Sequence, residues 1–407
     1  MAMNGMDAPI LITGIGACGG GGGNCAELWD RSREGRVSTE LREVSGIEIP
    51  VYRSQDPALS RWDAHLVRTA GRAATLAMAA AREAWQHAGL AGGGFDAART
   101  GILIGSSRGP ADIVDASAAR EVKRPSEAVY TAFSSAPGIL ASALGIQGCA
   151  VSISATCTSG AAAIYTARQM LRSGEFDIVL AGGADAPLID SILERMLSTG
   201  TLSAMGRGDD ALRPFDVDRD GTVLGEGAAF LVLETAASAA RRGMRALGTL
   251  LGASITCESS SRTRPSKDCE GLQRAVRATL NGCASGAPAV DLLHLHGTGT
   301  PVNDAEESAC VGALFGAPSM QPIAWASKGI TGHTLGAASA FQAVLTLLAM
   351  RHSFLPGSAN CNTQDPACVL RMSMGNGSER KIQTALCLTS GFWGKSSCLF
   401  LGAPGVE

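Results

Sequence analysis

Short apolar runs rich in Ile, Val and Leu alternate with longer Ala-rich segments along nearly the whole chain, and the series occurs twice. Runs too apolar to face water on either side suit buried parallel strands, and the Ala-rich segments suit crossover helices packed closely on them. The sequence therefore predicts an α/β fold. In the first half the expected strands are PILITGIG, TGILIGSS, CAVSISATC, FDIVLAGGAD and AAFLVLE, with helices in HLVRTAGRAATLAMAAAREAWQHAG and TSGAAAIYTARQMLRSGE. From Ala246 the order repeats through ALGTLLGASIT, GLQRAVRATLNGC, DLLHLHGT, IAWASK and GAASAFQAVLTLLAMRH, closing with TALCLTSGFWGKSSCLFLG, two apolar runs around a Gly-rich turn. The expected domains are residues 1–245 and 246–407. The helices after Cys157 and after His333 are apolar nearly all round, as helices covered on both sides are. Two similar halves stacked as five alternating layers of sheet and helix would bury one helix of each half between the sheets.

A chain of 407 residues, 45% hydrophobic and 17% charged, can bury a large core. Its net charge of −3 supplies no basic field for nucleic acid or an anionic membrane surface. Twelve cysteines are scattered with no CxxC pair, which points to small core residues rather than a disulfide framework. The N-terminus lacks a basic segment followed by a long apolar stretch, and no apolar run approaches a membrane span, so a cytoplasmic location is expected. Five glycines at 19–23 lack the Lys-Ser/Thr of a phosphate-binding loop and read as a flexible loop.

Cys157 ends a strand-like run and precedes TSGAAAIY, so it is expected where a strand turns sharply into a helix. Backbone N–H groups and the positive end of the helix dipole would there favour a thiolate. A buried structural thiol is the bland alternative. His296, in LLHLHGTGTPVND, runs from a strand into a polar Gly/Thr loop, where sites of open α/β sheets gather. His333, in SKGITGHTLGAASA, again lies between a strand and a helix. His294 would share a strand face with His296 and raises a metal-site alternative, but no paired Asp, Glu or Cys with ligand spacing accompanies them. A packing role is preferred for His294, and no metal is expected.

The segments ATCTSGAAAIYTARQMLRSGEFDIVLAGGAD, RPFDVDRDGTVLGEGAAFLVLE, HGTGTPVNDAEE and SKGITGHTLGAAS stand in the order and spacing of the elongating β-ketoacyl-acyl carrier protein synthases. From about Pro9 to Gly402 the chain resembles this family of the thiolase superfamily. The resemblance implies a thiolase-like fold and an acyl chain passed from a carrier protein's phosphopantetheine to Cys157. Decarboxylation of malonyl-carrier protein, aided by His296 and His333, would then lengthen the chain by two carbons. It also implies that Lys328 and Glu307 form a buried pair holding the histidine loops, and that Thr298 and Thr300 bind the pantetheine arm. The N–H groups of Cys157 and Phe392 would form an oxyanion hole, with Phe392 also gating entry. No bound cofactor is expected. The implied partners are acyl carrier protein and a second subunit, identical or ketosynthase-like.

Some positions depart from the family's usual pattern. LTSGFWGKSS stands where an ending like NSFGFGGTN is usual, so Trp393 replaces a glycine of the gating loop, and Ser390, Lys395 and Ser396 also differ. Trp393 is expected to stiffen the gate or pack an altered pocket. Arg108, in GSSRGP, stands where an apolar residue usually lines the acyl pocket's mouth. Together they predict a preference for short, unsaturated or otherwise polarisable chains lying against Trp393 or Arg108. The stretch from Arg108 to Ala150 is shorter than usual, which favours a specialised pathway such as polyene or polyketide assembly. Two rival readings share the fold: a non-catalytic partner subunit of the chain-length-factor kind, and a thioester acyltransferase that makes no carbon–carbon bond. Retention of Cys157, His296, His333 and Lys328 speaks against the first.

Overall fold

The computed structural model describes residues 9–121, 125–203, 208–259, 266, 269–283 and 286–406; the first eight residues of the N-terminal segment read above lie outside this set. Ten strands share one hydrogen-bonded sheet. The first half supplies β1 (Ile10–Gly19), β2 (Thr100–Gly105), β3 (Cys149–Ile153), β4 (Ile178–Asp185) and β5 (Gly227–Thr235). The second supplies β6 (Gly248–Cys257), β7 (Leu292–His294), β8 (Ile323–Trp325), β9 (Thr384–Gly391) and β10 (Lys395–Gly402). The order across the sheet is β8-β7-β9-β10-β6-β1-β5-β4-β2-β3.

Counted along the chain within each half, both halves have the same order: third, second, fourth, fifth, first. The strand directions repeat too. In each half the second strand is parallel to the third and fourth, and the fifth is antiparallel to the fourth and first. The two expected sheets are joined at their edges, because β1 pairs antiparallel with β6 from Ile10↔Leu250 to Ile12↔Gly248. This contact covers an edge that each half would otherwise leave open.

The helices that matter for the site are α1 (Gly71–His87), α2 (Ser159–Arg172), α3 (Asp190–Ser198), α4 (Glu270–Asn281), α5 (Pro301–Phe315) and α6 (Ala338–His352). α1 covers the outer face of β1, β4 and β5, and α4 covers β6, β9 and β10. α2 and α6 touch each other and pack on strands of both halves, so five layers result. Every residue from Ala338 to Met350 of α6 is buried. Each Leu, Val or Phe so enclosed contributes roughly 1.5–3 kcal/mol. Close approach of the two central helices depends on small side chains: a Cβ on Gly160 would stand 2.9 Å from Ser339 Oγ. Ser339 Oγ in turn accepts from the Ala161 N–H at 2.7 Å.

Two local expectations change. The glycine run at 19–23 is a packed turn rather than a flexible loop: Gly19 and Gly22 exchange backbone hydrogen bonds of 2.8 and 3.0 Å, and a Cβ on Gly19 would strike Phe341. The polar loop expected after His296 is short, since α5 begins at Pro301. Its buried face, Asp304, Glu307, Ser308 and Val311, has helical spacing but is mostly polar, which hid it from an apolar pattern. No described helix is long and apolar enough to cross a membrane.

Candidate active site

Cys157 follows β3 through a strained corner. Thr156 has φ 54°, a left-handed conformation that β-branched residues rarely adopt. The corner is fastened by Thr158 Oγ1 donating to the Ala155 carbonyl at 2.7 Å and by Ser159 Oγ donating to the Thr156 carbonyl at 2.6 Å. Ser159 Oγ also accepts from the Ala155 N–H at 2.8 Å, just where α2 begins. The end of β9 passes over this corner. A Cβ on Gly391 would lie 2.4 Å from Thr156 Oγ1 and 3.3 Å from the Cys157 nitrogen, so only glycine lets the chain come so near.

His296 lies two residues beyond β7, and α5 holds its loop from beneath. Glu307 accepts from the His296 N–H at 2.6 Å and the Gly297 N–H at 2.8 Å. Asp304, one turn earlier, accepts from the Thr298 N–H at 3.0 Å and the Phe215 N–H at 2.8 Å. His333 sits between the short helix Lys328–Thr331 and α6, and its N–H donates to the Val223 carbonyl at 2.8 Å.

These separate elements converge. Cys157 Sγ is 3.3 Å from His333 Nε2, and the His296 and His333 rings meet edge-on with centroids 5.3 Å apart. The Lys328 ammonium lies 3.1 Å from His296 Nδ1 and also donates to the His296 carbonyl. Because an ammonium can only donate, His296 Nδ1 accepts, and its ring proton is on Nε2. Lys328 and Glu307 do not form the direct ion pair expected of them. Each instead binds His296, one through the ring and carbonyl and the other through the amide.

Burial, reinforced by the Lys328 charge, pushes both His296 and His333 well below the ordinary histidine range, so both rings are neutral near pH 7. Burial also pushes the Cys157 thiol up to about 11, against the pull of Lys328. This burial acts against the thiolate that the helix end was expected to favour, where α2 starts two residues after Cys157. Burial lowers the Lys328 pKa and raises that of Glu307.

Thr298 and Thr300 follow His296 with their hydroxyls 2.9 Å apart. Phe392 is half-buried in the turn Phe392–Gly394. Trp393 takes the glycine-like φ of 65°, but its side chain is 58% exposed, so the indole does not pack a pocket. Arg108 is half-buried, with Nη2 3.8 Å from Met196 Sδ. His294 is fully buried; its Nδ1 meets Thr346 Oγ1 at 2.9 Å and its Nε2 meets Ser327 Oγ at 2.8 Å, so both nitrogens are engaged away from His296. The donor atoms of Cys157, His296 and His333 lie within 4.8 Å of one another. Such a set suits a soft metal ion, but the Lys328 ammonium on His296 opposes a second cation there.

Besides Asp304, sequence reasoning missed two further buried polar groups. Asp185, at the end of β4, accepts from Ser106 Oγ at 2.7 Å and from the N–H groups of Ser107, Arg108 and Gly336 at 2.8, 2.9 and 2.7 Å. It ties the loop after β2 to the turn after His333. Its signal was a lone carboxylate closing an otherwise apolar strand. Gln342, in α6, donates to the Leu295 and Leu388 carbonyls at 2.7 and 3.0 Å and accepts from Thr389 Oγ1 at 2.7 Å.

Residues 7–239 match the family model described as the N-terminal domain of β-ketoacyl synthase, and residues 247–362 match that of its C-terminal domain. The chain is a β-ketoacyl synthase. This synthase is 31% identical over 421 residues to the tetracenomycin polyketide synthase ketoacyl synthase alpha subunit of Streptomyces glaucescens, covering 97% of each chain. Its fold is similar to that of a type II polyketide synthase ketosynthase, bound to the hexaketide, in complex with its acyl-carrier protein. That match has a TM-score of 0.90 at 26% identity and covers 98% of this chain and 100% of the other. The ishigamide ketosynthase/chain length factor gives a TM-score of 0.88 at 28% identity, covering 98% of this synthase and 100% of that chain.

Proposed function

We propose that this synthase catalyses decarboxylative Claisen condensation of an acyl group carried on Cys157 with malonyl-acyl carrier protein, extending the chain by two carbons. The observation that carries the reading is the contact of Cys157 Sγ with His333 Nε2 beside a His296 whose Nδ1 is occupied by Lys328. In the first half-reaction the Cys157 sulfur attacks the thioester carbonyl, a carbon–sulfur bond to the pantetheine breaks, and the cysteine proton passes to the leaving thiol, with His333 placed to relay it. The N–H groups of Cys157 and Phe392 are the proposed oxyanion donors. Phe392 gates the site, and Thr298 and Thr300 receive the pantetheine arm.

In the second half-reaction the malonyl carboxylate leaves as CO2 and its bonding pair becomes an enolate on the thioester. The N–H at His296 Nε2, with the neutral His333 beside it, donates to the enolate oxygen. The carbanion carbon attacks the acyl carbonyl, the bond to Sγ breaks, and the sulfur takes up one proton. Lys328 and Glu307 hold His296 in its tautomer and position. Phosphopantetheine arrives on the carrier protein; the synthase needs no resident cofactor for these steps.

The relatives' polyketide context and the departures at Arg108 and Trp393 support a specialised pathway, polyketide or polyene, on freestanding carrier proteins in the cytoplasm. Partnership with a second ketosynthase-like subunit follows the same relatives. The repeated strand order supports a division into residues 1–245 and 246–407.

Incubation with acyl-carrier protein and then 13C-malonyl-carrier protein should give a 3-oxoacyl-carrier protein two carbons longer and one equivalent of CO2. Acyl transfer without CO2 release would identify an acyltransferase, and no adduct at all a partner subunit. The depressed histidine pKa values also set a pH limb. Neutral rings persist as pH falls until their folded values are reached, so malonyl decarboxylation by the Cys157→Gln variant should hold down to below pH 6.5, the ordinary histidine value. A profile already half-lost at 6.5 or above would count against neutral imidazoles.

A further inference from the structure

Arg108 brings a formal charge into apolar ground beside the nucleophile. Its backbone N–H is held by Asp185 Oδ1 at 2.9 Å, which fixes the start of the side chain. Asp185 is saturated by one hydroxyl and three amides, so its carboxylate is taken before the guanidinium can use it. The Arg108 Nε–H is enclosed without a partner, and no carboxylate of a described residue lies within ion-pair distance of the guanidinium. Its Nη2 meets only the thioether of Met196, a weak acceptor that a better one displaces.

Met196 links this cation to the apolar surround of Cys157. It lies in α3 and belongs to the apolar cluster with Leu193 and Leu335, against which Cys157 packs. Arg108 and Lys328 both lower the Cys157 pKa, so the two charges act on the same sulfur. A chain attached at Sγ thus starts against the same apolar cluster as a guanidinium whose Nη2 meets only a thioether, an arrangement that an oxygen acceptor improves.

We infer that Arg108 is a specificity-determining residue that receives an oxygen of the acyl chain on Cys157, so the preferred chain bears a ketone or carboxylate oxygen instead of being plain hydrocarbon. This rests on Cys157 being the acyl carrier. The unpartnered group decides between oxygen and a conjugated chain. A π-system engages the face of a guanidinium and leaves its in-plane N–H groups unmet, whereas an oxygen lone pair can take the place of the Met196 thioether at Nη2. With the Trp393 indole exposed, the aromatic surface expected to favour unsaturation is also missing from the site.

The test is competitive loading from one carrier protein of six-carbon chains: hexanoyl, hexadienoyl, 3-oxohexanoyl, 5-oxohexanoyl and ω-carboxylated. Intact mass spectrometry reads the adducts on wild type, Arg108→Ile and Arg108→Lys. Wild type should favour an oxo or carboxy chain over hexanoyl by about tenfold or more, the range of a hydrogen bond to a charged group. Which of the two wins distinguishes a ketone from an anionic chain end. Arg108→Ile should bring the ratio near one, and Arg108→Lys, which keeps charge but not the planar fork, should fall between. A wild-type preference for hexanoyl or hexadienoyl, or a ratio unchanged in both variants, would overturn the inference while leaving the carrier reading intact. Absence of any Cys157 adduct in wild type would overturn both.

Discussion

Cys157→Ala is expected to abolish acyl loading completely, with no adduct by intact mass under conditions that saturate wild type. The sulfur is the group at the corner between β3 and α2 that meets His333 Nε2, and the corner is held by Thr158 and Ser159 rather than by Cys157 itself. The fold should therefore survive, at a cost of about 1 kcal/mol for the small space left behind. Cys157→Gln places an amide where the acyl thioester would be and keeps both imidazoles, so it should still decarboxylate malonyl-carrier protein. Undiminished labelling of the alanine variant would sink the assignment of Cys157 as carrier.

His296→Ala should cut condensation by a hundredfold or more, the usual effect of removing a donor aimed at a developing oxyanion, while largely sparing acyl loading. His296 faces the sulfur only at a distance, whereas His333 Nε2 touches it at 3.3 Å. His333→Ala should accordingly slow both half-reactions, so the two histidines separate in a comparison of loading and decarboxylation rates. His296→Asn, which retains an N–H donor, should recover part of the loss. Equal loss in both half-reactions for His296→Ala, with no rescue by asparagine, would mean that His296 only holds the site together.

The strands and central helices were legible because apolar content and period are properties of single segments. Cys157, His296 and His333 were legible for a related reason: each ends a strand or opens a helix, and such places are visible locally. What stayed hidden depends on distant pairs. Lys328 and Glu307 were expected to bind each other, but the loop at His296 lies between them and takes both. Asp185 reads as the end of an apolar strand until Gly336, far along the chain, arrives to donate to it. The edge pairing of β1 with β6 leaves no pattern in either strand, since pairing along an edge uses backbone groups that every sequence carries. The burial that opposes a Cys157 thiolate was hidden as well, because helix position favours the anion locally, while desolvation comes from the whole surround.

The repeated strand order bears on how the site must have been acquired and how it must be maintained. Cys157 and His333 occupy corresponding corners, each between the third strand of its half and the central helix that follows. Corresponding points of a doubled unit touch only near the axis relating the copies, and here they touch at 3.3 Å. A duplication that brought two such corners together would have allowed one copy to specialise in nucleophilic chemistry and the other in proton handling. The contact needs both corners, so a shift of one half against the other would part sulfur and imidazole. Gly160 lets the central helices of the two copies come close, since a Cβ there would stand 2.9 Å from Ser339 Oγ and 3.0 Å from the Gly336 carbonyl, three residues after His333. Selection on catalysis is thereby expected to reach residues buried between the layers.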